Sequence, residues 1–75
     1  MSFETKTPDD LIRIATAGGG FRLNAGLWQT NDLVRVAAAA SNSGALVFLS
    51  GMSIRTTEDL VRIGSAGKGR IVFED

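Results

Sequence analysis

The stretch Asn31 to Gly51, NDLVRVAAAASNSGALVFLSG, decides the fold, because the segments on either side of it are imperfect copies of it. Its ending, "GALVFLSG" from Gly44 to Gly51, recurs as "GGFRLNAG" at Gly19 to Gly26 and as "GRIVFED" at Gly69 to Asp75. Its opening recurs as well: Asp10 to Ile14, Asp32 to Val36 and Asp59 to Ile63 share the pattern D-L-[IV]-R-[IV]. Self-similarity at a spacing of about 25 residues marks a repeat architecture, in which each unit buries its apolar face against the next. The sequence therefore predicts an α/β fold: three helix-strand repeats forming a small right-handed parallel βαβ solenoid-like sheet with helices on one face.

Within each copy the punctuation is chemical. Thr7-Pro8-Asp9-Asp10 combines a capping hydroxyl, a proline suited to the first helical position and acids that favour the positive end of the helix dipole. The first helix should run to about Ala17, where Gly18-Gly19-Gly20 stops it. Thr30-Asn31-Asp32 and Thr56-Thr57-Glu58-Asp59 read as the second and third starts. The second helix is expected to end near Ala40, with Ser41-Asn42-Ser43-Gly44 as a turn, and Gly64 and Gly67 should weaken the end of the third.

Phe21-Arg22-Leu23-Asn24-Ala25 alternates apolar and polar and predicts a strand with Phe21 and Leu23 inward. Ala45 to Leu49 is apolar throughout, as a central strand covered by neighbours would be. Arg70 to Phe73 gives the third strand, and Phe3 and Thr5 offer a partial edge strand in an N-terminal lead. The expected division is one domain over 1–75, with a lead at 1–6 and repeats at 7–29, 30–55 and 56–75. Strands lie about 4.8 Å apart and helices about 8–10 Å apart, so the small residues at Ala15, Ala17, Ala37 to Ala40, Gly64, Ser65 and Ala66 suit close helix packing. The spacing falls in the range of leucine-rich repeats, but their L-x-x-L-x-L-x-x-N signature is missing. A plain βαβ sandwich closed by dimerisation is the alternative fold.

Composition narrows the function. A chain of 75 residues buries only about 60% of its unfolded surface, so help from a partner is expected. The chain has no cysteine and no histidine, and its formal net charge is zero, which offers no overall field toward nucleic acid or an anionic membrane. Neither a signal-peptide pattern nor a long apolar run is present, so the expectation is a cytoplasmic protein without membrane contact. The glycines at Ala17 to Gly20 and Ser65 to Gly69 follow helices and precede strands, the reverse of a phosphate-binding loop, and read as caps and turns. Asp9-Asp10 and Glu58-Asp59 read as dipole charge rather than acid-base or Mg²⁺ pairs, since adjacent helical residues point about 100° apart. No catalytic residue, cofactor, metal or small-molecule substrate is expected.

Two surfaces remain. If Phe21, Leu23, Leu46, Phe48, Ile71 and Phe73 face the helices, then Val47, Leu49 and Val72 form an open apolar patch rimmed by Arg22, Asn24 and Glu74. This predicts an interaction module that assembles with itself or another protein through that face or its edge strands, with Trp28 as a further interface anchor. The alternative is a nucleic-acid accessory protein gripping phosphates with a column of Arg13, Arg35 and Arg62, against which stands a solvated helix face with i,i+3 ion pairs.

Overall fold

A computed structural model describes residues 6–74; the partial strand expected at Phe3 and Thr5 lies outside them, as does Asp75. Three helices, α1 (Pro8–Thr16), α2 (Thr30–Ser43) and α3 (Thr57–Gly67), alternate with three strands, β1 (Phe21–Asn24), β2 (Val47–Ser50) and β3 (Ile71–Phe73). The strands form one parallel, open sheet in the order β1-β2-β3.

The helix starts follow the capping chemistry at two of three places. The Thr7 hydroxyl accepts from the Asp10 N–H at 3.2 Å, and Thr56 accepts from the Asp59 N–H at the same distance. Each such cap stabilises by about 1 kcal/mol. At α2 the cap position falls to Gln29, which makes no side-chain cap bond. The Thr30 hydroxyl is engaged elsewhere, accepting from Arg55 Nη1 at 2.8 Å and donating to Asp59 Oδ2 at 3.4 Å.

The end of α2 differs from expectation. Ser41-Asn42-Ser43 is its last helical turn, and the chain leaves at Gly44, φ 83°, whose N–H bonds the Ala40 carbonyl. Both serine hydroxyls donate to helix carbonyls, Ser41 to Ala38 in its own helix at 2.9 Å and Ser43 to Ala15 of α1, which satisfies polar groups that would otherwise favour a turn. In α3, Gly64 sits inside the helix and Gly67 closes it, followed by Lys68 with φ 48°. Gly67 is packed so tightly on Ile71 that a Cβ would overlap that side chain, which gives the glycine a reason to be there despite its low helix propensity. A Cβ on Gly20 would similarly overlap the Leu46 carbonyl, so β1 can enter the sheet beside β2 only with glycine at that point.

In the parallel register Phe21 pairs with Val47 and Val47 with Ile71; Leu23 pairs with Leu49 and Leu49 with Phe73. These residues share the face covered by the helices. Phe21, Leu23, Val47 and Leu49 are buried in one cluster with Leu11 and Ala15 of α1, Leu33, Val36, Ala37 and Ala40 of α2, and Ile63 of α3. Here the structure overturns the expected phase of β2: Val47 and Leu49 point into the core, whereas Leu46 and Phe48 lie on the opposite side. A strand that is apolar at every position carries no alternation to set its phase, and the phase is set instead by pairing with β1. Arg22, Asn24 and Val72 face away from the helices as expected. α2 packs between α1 and α3, and its buried alanines allow the close approach.

Candidate interaction surface

On the open side of the sheet, Arg22, Phe48 and Val72 occupy adjacent places on β1, β2 and β3. The Arg22 guanidinium lies 4.4 Å from the Phe48 ring centroid and reaches past it to Glu74, donating to both carboxylate oxygens at 2.7 Å. A cation over an aromatic face contributes about 0.5–1 kcal/mol at an exposed site, and the charge-assisted bonds, both from Arg22 Nη1, hold the guanidinium against Glu74. The expected dry centre of Val47, Leu49 and Val72 is therefore absent. Val47 and Leu49 are under the helices, and an ion pair crosses the middle of the face, leaving Leu46 (40% exposed) and Val72 (36%) on either side of it. Asn24 turns back on its own chain, accepting from the Gly26 N–H at 3.4 Å.

The arginine column is placed on the helix side. Arg35 contacts Asp32 of its own helix at 3.7 Å and Asp9 of α1 at 3.4 Å. Arg62 repeats the arrangement one helix on, 4.0 Å from Asp59 and donating to Asn31 of α2 at 3.1 Å. Arg13, on the outermost helix, makes neither contact among the described residues; it borders an open groove of about 410 Å³ with Lys6, Asp10, Ile14 and Ala17. Trp28, in the β1–α2 loop, is half-buried and lines a smaller groove of about 240 Å³ with Pro8 at the start of α1 and Leu27, Gln29 and Asp32.

One residue that the sequence did not single out ties the loops together. Arg55, between β2 and α3, donates to Thr30 Oγ1 at 2.8 Å, to the Ala25 carbonyl at 2.7 Å and to the Trp28 carbonyl. Its partners lie 25 to 30 positions away in the chain, so no local pattern announces the role.

The two ends of the helix layer are unequal. α1 packs on α2 and α2 on α3; Leu11 and Ala15 of α1 and the matching Leu33 and Ala37 of α2 are fully buried, and Ile12 and Val34 are partly buried against the same cluster. Among the described residues no further helix packs on α3: the corresponding Leu60 and Gly64 lie beside Phe73 of β3, with Leu60 partly buried against the core, and Val61 is 58% exposed. In the sheet, Leu23 and Leu49 are buried while Phe73 of β3 is 38% exposed. Val36 of α2 and Ile63 of α3 are fully buried, whereas the corresponding Ile14 of α1 is only half-buried. Among the described residues no group of three or more carboxylates could hold a metal ion, and no helix is long and apolar enough to cross a membrane.

No family model, curated protein or solved structure matches the chain.

Proposed function

We propose that the chain is a three-unit, right-handed α/β solenoid segment that works as a non-enzymatic interaction module, assembling with further copies of itself at its open ends. The observation that carries this reading is the exposure of Val61 and Phe73 on α3 and β3, at positions whose counterparts on the preceding helices and strands are covered. Open apolar ends and bare strand edges favour pairing with another chain. The domain is small, so the area gained at each joint matters to its stability as well as to its assembly. The sheet face bearing Arg22 and Glu74 plays the smaller part, because docking there would have to displace an ion pair. The arginine column suits a nucleic-acid backbone less well: Arg35 lies between Asp9 and Asp32 and Arg62 beside Asp59, and these carboxylates offset the positive charge a phosphate would meet.

Light scattering at micromolar concentration tests the reading. A concentration-dependent oligomer is expected, and a monomer whose mass holds from high to low concentration would overturn it.

A further inference from the structure

Accepting self-association as the function, we propose that copies stack head to tail, with the α3 and β3 end of one copy docking on the α1 end of the next, and with Arg13 of the second copy taking Glu58 of the first. The internal joints supply the template. Each helix signature is preceded by one polar residue: Asp9 before Asp10, Asn31 before Asp32 and Glu58 before Asp59. Arg35 reaches back to Asp9, and Arg62 reaches back to Asn31, so the arginine of each helix binds that preceding position on the helix before it. Two members of this series are left over. Among the described residues no helix packs on the Arg13 side of α1 or beyond the Glu58 side of α3, and neither residue has an ion pair. Their charges are opposite, and a third joint of the same geometry brings them together.

The apolar surfaces match in the same way. The groove beside α1 is lined by Lys6, Asp10, Arg13, Ile14 and Ala17, of which the last four are the counterparts of Asp32, Arg35, Val36 and Ala39 on α2. Inside the molecule that side of α2 faces α1, whose Leu11 and Ile12 correspond to Leu60 and Val61 of α3. Val61, flanked by the part of Leu60 left uncovered, is therefore the ridge that the α1 groove fits. The two surfaces differ, which makes the contact heterologous: it repeats as an open filament or closes as a ring, and it cannot be satisfied by a two-fold dimer.

The test uses blocked ends in the full chain. Ile14→Glu blocks the α1 groove and Val61→Glu blocks the α3 ridge, both at positions already in contact with solvent. Each variant alone is expected to lose higher assembly, while an equimolar mixture forms a 1:1 dimer in sedimentation or light scattering, because each variant keeps one good end. Arg13→Glu and Glu58→Arg form a second pair at exposed positions where folding is not at stake. Each should weaken association by about fivefold, the upper range for an exposed ion pair, and mixing the two should restore it. If the wild-type chain associates but the single variants do so unchanged, or if neither mixture recovers, head-to-tail stacking is wrong and self-association survives. A monomeric wild-type chain overturns both.

Discussion

Replacing Leu49 with Asp is expected to unfold the protein. Leu49 has no exposed surface, lies in the central strand between Leu23 and Phe73, and belongs to the single buried cluster under the helices. The change forfeits about 1.5–3 kcal/mol of side-chain burial and adds several kcal/mol for taking a carboxyl group out of water without a partner, whether it stays ionised or takes up a proton. A domain of this size has roughly 0.05–0.15 kcal/mol of stability per residue, so the combined loss is comparable to the whole. Circular dichroism should show the helical signal gone at room temperature. Val72→Asp, on the opposite face, should leave that signal in place and shift the melting temperature by only a few degrees. A folded Leu49→Asp variant would mean that β2 is turned over, with Leu46 and Phe48 inside.

Arg55→Met is the second large effect. The substitution keeps length and apolar contact but removes the donors that bind Thr30, Ala25 and Trp28, leaving the Trp28 carbonyl without its arginine partner and the Ala25 carbonyl with the Trp28 N–H alone. Hydrogen bonds from a charged group contribute about 1.5–3 kcal/mol, and the shared cation here makes the three contacts act as one unit. An overall loss of about 2–3 kcal/mol corresponds to a fall of roughly 10–20 °C in melting temperature for a chain of this length. Arg55→Lys should recover little, because a single ammonium cannot reproduce the planar fork. An unchanged melting temperature in both variants would show that the loops are held by packing around Trp28 instead.

How far the sequence could be read depended on whether local chemistry or distant pairing made the decision. Thr7, Pro8 and Thr56 declare their helix starts because a cap acts within one turn of itself, and Phe21-Arg22-Leu23-Asn24 declares its phase because it alternates. The three-helix, three-strand order of the parallel sheet was legible for the same reason. β2 was misphased because Ala45 to Leu49 carries no alternation, and only its register with β1 shows that Val47 and Leu49 are the inward pair. That phase places Val47 and Leu49 of the expected patch in the core and leaves only Val72 on the open face. Ser41-Asn42-Ser43 looked like a turn because those side chains compete with helices, and the competition is settled by carbonyls of Ala38 and Ala15, one of them on another helix. Arg55 was illegible because all of its partners belong to the previous loop and helix start.

The Arg22–Glu74 bridge has a consequence for how the sheet opens. Units that touch only their nearest neighbours come apart one at a time from either end. Here β1 is tied to the residue after β3, 52 positions along the chain, across the ring of Phe48 on the strand between them. Fraying of either edge gives up the same ion pair and uncovers the same ring, so the first strand to leave loosens the last. Amide hydrogen exchange reports such openings strand by strand. Backbone amides of β1 and β3 should exchange at closely matched rates in the wild-type chain, and Glu74→Gln should let the two edges exchange independently, while rates unaltered by that change would show that each edge opens on its own.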